Sequence, residues 1–173
     1  MKAKDAANGH QADCFVALPD LEGPMINSLV SCLAREHVKL DEQILQLALV
    51  ATRLAANPND NEVSGRAMEV WEGIRHYLWS HLQIEDELVV TWGTTHHAIA
   101  GALGETLESE RQEMRRSLAG LGSYARLRGT PKDSRDREGF AKALLALSRM
   151  LATHVERYEG EVLPAIQRSV FHA

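Results

Sequence analysis

The stretch HYLWSHLQIEDELVV, residues 76–90, decides how the chain is read. At about 100° per residue, its apolar positions Tyr77, Ile84 and Leu88 share one helical face with Val70 and Ile74 upstream. His81 and Glu85, one turn apart, lie on that same face, whereas His76 points roughly 140° away and toward solvent. Leucine would pack better at either position. An imidazole and a carboxylate carried into an apolar interior need partners there, because an unsatisfied buried polar group is costly. The period is that of a helix, not the alternation of a strand, and the inner face is chemically marked.

On either side of the stretch the same period recurs between breaks. LEGPM (21–25) puts Pro24 in a first helical turn and opens a segment that runs to about Ala56. NPNDN (57–61) is a turn, with Asn59 or Asp60 as N-cap of the helix that contains the quoted stretch. That helix is expected to reach about Trp92, where WGTT breaks it, and Thr94 or Thr95 then caps a third. The third fades at LAGLGSYARLRGTPKDS (118–134), and a fourth runs from about Arg137 to Val170, with Pro164 bending its end. Long helices joined by short connections are antiparallel neighbours. The expected fold is therefore all-α: an up-down-up-down four-helix bundle over residues 23–173, preceded by an N-terminal arm over residues 1–22.

Bulk properties narrow the functions. The 173 residues suit one domain with a substantial core, and 45% hydrophobic with 25% charged residues is ordinary for a soluble protein. A net charge of -5 leaves no basic excess for phosphates, so no nucleic-acid partner is expected. Two cysteines, Cys14 and Cys32, indicate neither a disulfide scaffold nor a zinc ribbon. The N-terminal residues carry charge without an apolar h-region, and no run reaches membrane-spanning length. The expected address is the cytoplasm, with no membrane partner.

The other three helices repeat the marking seen on the second. His37 interrupts the stripe Ile26, Val30, Leu33, Leu40, Ile44 and Leu47. His96 falls on the stripe Ile99, Leu103, Leu107, Met114 and Leu121, with His97 about 100° off it. In the fourth helix Phe140, Leu144, Leu147, Leu151, Tyr158 and Val162 form the stripe, with His154 on one border and Glu159 on the other. His37 and His81 lie at similar distances before and after the first turn, so an antiparallel pair brings them level. Glu85, His96, His154 and Glu159 fall near the same height. Arginine and lysine sit mainly on outer faces in this reading, so a metal ion is the counter-charge for such a layer. Imidazole nitrogen and carboxylate oxygen without thiolate suit iron, manganese or zinc, and a carboxylate between two ions can bridge them, as in di-iron helical bundles. Asp41, one turn after His37, is placed beside the layer or at the surface.

These residues, taken in order, resemble a known family. Glu36-His37 with Leu40 and Ile44, His81 with Glu85, His96 with Ile99 and Leu103, and His154 with Glu159 are similar to the hemerythrin-like, HHE cation-binding domain. The phrases EDELVV (85–90) and EGEVLPAI (159–166) also resemble its acidic-then-apolar segments, and the likeness spans about residues 24–170. The resemblance implies a non-haem di-iron centre, with His37 and His81 on one iron, His96 and His154 on the other, and Glu85 and Glu159 bridging. It implies dioxygen or another small oxidant as partner, in oxygen binding, in sensing, or in iron and redox homeostasis. Zinc or manganese also suits the donors.

Two positions depart from the family's oxygen carriers. The carriers have a second histidine one turn after that of the third helix, where this chain has Ala100, or Gly101 if His97 is the match. The five-residue step from His154 to Glu159 splays the pair by about 140° on an ideal helix, and Tyr158 holds the four-residue position, where it could ligate iron or hydrogen-bond a ligand of iron. Fewer histidines favour redox chemistry or sensing over reversible carriage. The alternatives kept open are a di-iron peroxidase- or oxidase-like enzyme and a metal-poor helical interaction module.

Overall fold

The computed structural model describes residues 23–86, 102–128 and 133–171. They form α1 (Gly23–Ala56), α2 (Asn61–Asp86), α3 (Ala102–Arg128) and α4 (Ser134–Arg157), a π-helical turn (Tyr158–Val162) and α5 (Leu163–Phe171). There is no strand among the described residues. The four long helices make the expected up-down-up-down bundle, in which α1 packs on α4 and α2, and α3 packs on α4. No helix among the described residues is long and apolar enough to cross a membrane.

Local chemistry explains the helix ends. Asp60, rather than Asn59, caps α2, its Oδ1 accepting from the backbone N–H groups of Glu62 and Val63 at 2.9 and 3.1 Å. Asp133 caps α4 in the same way, accepting from Asp136 at 2.8 Å. The third helix does not fade at 118, because buried Leu118 and Leu121 prolong its stripe and hold it to Arg128. Pro164 was expected to bend the fourth helix. Lacking an N–H and crowding the carbonyl four residues back, it is accommodated by the wide turn at Tyr158–Val162, after which α5 continues. The ends of the second helix beyond Asp86 and of the third before Ala102, together with the N-terminal arm, lie outside the described residues.

Two apolar clusters fill the interior. The larger holds Leu40, Leu47, Trp71, Leu78, Met114, Phe140, Leu147 and Leu151, among others. The smaller holds Val30, Leu33, Leu107, Tyr158, Val162, Leu163 and Ile166. On α2 the inward face is centred on Ala67, Trp71, Ile74, Leu78 and Leu82, so Val70, Tyr77 and Ile84, expected inside, are only half-buried. Cys32 is disulfide-bonded, although two cysteines had indicated no disulfide scaffold.

Candidate metal centre

Between the two apolar clusters the helices carry a polar layer. His37 comes from α1 between Leu33 and Leu40, His154 from α4 between Leu151 and Tyr158, and His81 and Glu85 from successive turns of α2. All four are buried, Glu85 completely. One ligand atom from each lies within 4.8 Å of the others.

Glu85 is the hub. Its Oε1 lies 3.1 Å from His37 Nε2, 3.0 Å from His81 Nε2 and 3.1 Å from His154 Nε2, and its Oε2 lies 3.0 Å from His154 Nε2. Burial pushes the Glu85 carboxyl up, but His154, His81 and His37 outweigh burial and hold it well below its ordinary value of 4.5. Burial lowers His37, yet its contacts with Glu85 and Glu159 raise it above 6.5. The His37 ring stands between two carboxylates, with Nδ1 2.8 Å from Glu159 Oε1. The Glu159 side chain is 45% exposed and, among the described residues, reaches the layer through this contact. His81 is held by the ring of Tyr77, which stacks on it at 6.0 Å and donates its hydroxyl to the Glu36 carbonyl at 2.8 Å.

Satisfaction within the layer is incomplete. Neither nitrogen of His81 has a hydrogen-bond partner among the described residues, nor do His154 Nδ1 and Glu85 Oε2. Each such buried atom costs about 1–3 kcal/mol, and the proximities at His81 Nε2 and Glu85 Oε2 lack hydrogen-bond geometry. Ligands held about 2.0–2.1 Å from one metal ion sit about 2.9–3.4 Å from one another along the edges of its polyhedron. The imidazole–carboxylate separations of 3.0–3.1 Å are of that size. Three nitrogens and a carboxylate, converging where protein partners are lacking, fit a metal ion.

The model of the hemerythrin HHE cation-binding domain matches residues 28–166, which takes in all four donors. The chain belongs to that family. No curated protein and no solved structure matches it. The match and the converging His37, His81, Glu85 and His154 make this hemerythrin-like bundle a metal-binding helical protein.

Of the six residues picked from the sequence, the structure brings these four together, sets Glu159 against the far nitrogen of His37, and does not describe His96. His97, its alternative, also lies outside the described residues. Arg111 corrects the expectation that cations stay outside. It is 3% exposed on α3, four residues after Leu107 and three before Met114, in the same layer as the histidines. The steps from Leu107 and to Met114 are those of the inner stripe, a signal that could have found it. Neighbouring carboxylates permit its burial: Nη2 donates to Glu108 at 2.7 Å, and Nε lies 3.2 Å from Asp86. Tyr158 is also in the layer, its ring centroid 4.6 Å from that of His154. Burial, followed by the charge of Glu85, pushes its phenol well above the ordinary range, so the hydroxyl keeps its proton.

Proposed function

We propose that this protein is a non-haem di-iron member of the hemerythrin type that binds or senses dioxygen or another small oxidant. The observation that carries the reading is the distribution of contacts around Glu85. All three Nε2 atoms, of His37, His81 and His154, lie 3.0–3.1 Å from its Oε1, and that of His154 also lies 3.0 Å from its Oε2. A carboxylate with three imidazoles gathered on one oxygen, and the other oxygen without a hydrogen bond among the described residues, can hold an ion among the imidazoles and offer its second oxygen to another, so Glu85 is proposed as the bridge. His96 is proposed to complete the second ion's side, and Glu159, expected as a second bridge, instead meets the outer nitrogen of His37.

Iron bound here would supply one-electron redox chemistry and an open coordination position. The chain contributes the rest. Glu85 neutralises the layer and keeps the three Nε2 atoms converging. The hydrogen bond from His37 Nδ1–H to Glu159 directs Nε2 inward, the usual way a protein orients a ligating imidazole. Leu33, Leu107 and Val162 on one side, and Leu40, Met114 and Leu151 on the other, exclude bulk water. The donor set contains no sulfur, which suits iron or manganese better than soft metals.

The test is to load the protein anaerobically with ferrous iron, admit air, and measure bound metal and the visible spectrum. Two equivalents per chain with charge-transfer absorption are expected. Saturation at one equivalent rejects the two-ion arrangement, and absence of any retained metal rejects the reading as a whole.

A further inference from the structure

The outer side of α1 carries apolar residues that the bundle does not use. Among the described residues four large hydrophobic side chains are exposed, and three of them, Val38 at 64%, Leu45 at 71% and Leu49 at 52%, lie on this one helix. A single exposed leucine is ordinary on a protein surface. These three fall within about 40° of one another around the helix axis. Their shared direction is about 160° from that of Leu40, Ile44, Leu47, Ala51 and Leu54, which face the core.

The stripe has the spacing of a helix-packing seam. Val38, Glu42, Leu45, Leu49, Thr52 and Ala56 follow one another by alternating steps of four and three residues, and all six are exposed. Such steps keep one line of side chains against a neighbouring helix. Charge decides what that neighbour is. Glu42 stands before the Leu45–Leu49 pair and Arg53 after it, and neither has an ion-pair partner among the described residues. A helix lying on a lipid surface carries basic residues along its flanks, whereas Asp41 and Glu42 flank this stripe. An acidic end and a basic end separated by two leucines are complementary to themselves when reversed. A second copy laid antiparallel sets Leu45 on Leu49 of the second copy, Val38 on Ala56, and Glu42 beside Thr52 and Arg53. One register satisfies all of these pairs, and a two-fold axis makes each of them twice.

We propose that the outer face of α1, from Val38 to Ala56, is a self-association surface on which a second copy of this chain docks antiparallel. The seam is about 27 Å long, a contact of one helix with one helix, so the dimer is small, weak and reversible. It uses none of the metal donors, and association can be measured apart from metal binding.

Sedimentation velocity of the full chain from about 1 µM to 1 mM covers the affinities that so small an interface supports. Far-UV circular dichroism and bound metal serve as controls for folding. The wild type is expected to pass from monomer to dimer across that range. Leu45→Glu is expected to weaken association at least about tenfold, because it sets a charge on an apolar seam. The charge pair tests the register. Glu42→Arg alone and Arg53→Glu alone each place like charges opposite one another twice, and each should weaken the dimer by roughly tenfold at low salt. The double variant restores opposite charges and should recover wild-type association, and mixing the two single variants should give a heterodimer. A wild type that stays monomeric throughout overturns the inference. So does a Leu45→Glu protein that associates as the wild type does, or a double variant that recovers nothing. A monomer that instead binds phosphatidylglycerol vesicles through this stripe assigns it to a lipid surface and also overturns it.

Discussion

Glu85 governs the electrostatics of the interior, because three imidazoles share its one fully buried carboxylate. Its folded pKa lies well below 4.5, so its contribution to stability is complete above that value and is lost as pH falls through the depressed one. His37 behaves in the opposite sense. Its folded pKa is raised above 6.5, so its contribution is complete below 6.5 and is lost as pH rises through the raised value. Protein stripped with a chelator should therefore melt highest between about pH 4.5 and 6.5. The stabilisation added by metal should instead grow as pH rises, since ligating imidazoles must be neutral. Melts of stripped and metal-loaded protein from pH 4 to about 8 check both limbs. A stripped protein whose midpoint climbs without a break to the alkaline end contradicts the coupling of His37 to its two carboxylates.

Helices position the donors by spacing alone. His81 and Glu85 meet because four residues make about one turn, and α2 needs only to be rigid and correctly rotated. Its rotation was misread by part of a turn: Val70 and Tyr77 were placed inside, where Trp71 and Leu78 are the residues that pack. Both stripes are apolar, and only the neighbours on α1 and α4 choose between them. In the fourth helix the wide turn at Tyr158–Val162 keeps His154, Tyr158 and Val162 on one inner face at four-residue steps. An ideal helix would rotate each step by about 40°. Rigidity can be increased away from the site. Gly73 lies within α2, and a Cβ built there meets nothing within 4 Å. Gly73→Ala should stabilise the protein by about 0.5–1 kcal/mol and raise its melting midpoint by roughly 1–4 °C, with metal content unchanged. Thermal melts check this, and a lower midpoint would mean that the groove lined by Gln43, Gln46 and Gly73 is tighter than the geometry allows.

Across the whole molecule the polar layer separates two apolar clusters that would otherwise merge into one core. A layer with unpartnered atoms at His81, His154 and Glu85 weakens the bundle at its middle. A metal that binds only the folded state offsets this by mass action, by about 2.7 kcal/mol when free metal is a hundredfold above its dissociation constant. For a chain of this size that corresponds to a midpoint higher by roughly 5–10 °C. Melts with metal and with chelator measure the difference directly. Identical midpoints would mean that the layer is satisfied without metal and that the helices act only as a scaffold.

The helical period, the caps and the inward donors could be read from residues alone, because each depends on contacts within a few positions of the chain. Asp60 caps through backbone groups two or three residues ahead, and His37, His81, Glu85 and His154 interrupt apolar stripes whose angles follow from one helix at a time. The family resemblance has the same origin, since those interruptions recur in a fixed order. Other features depend on neighbours far away in sequence. Arg111 is buried because Asp86 and Glu108 receive its charge, and Glu159 meets His37 across 122 positions of chain. The grouping of three imidazoles on one carboxylate required the relative rotation of α1, α2 and α4. Side-chain periodicity describes a helix about its own axis, whereas only packing between helices sets which part of each face looks at the others.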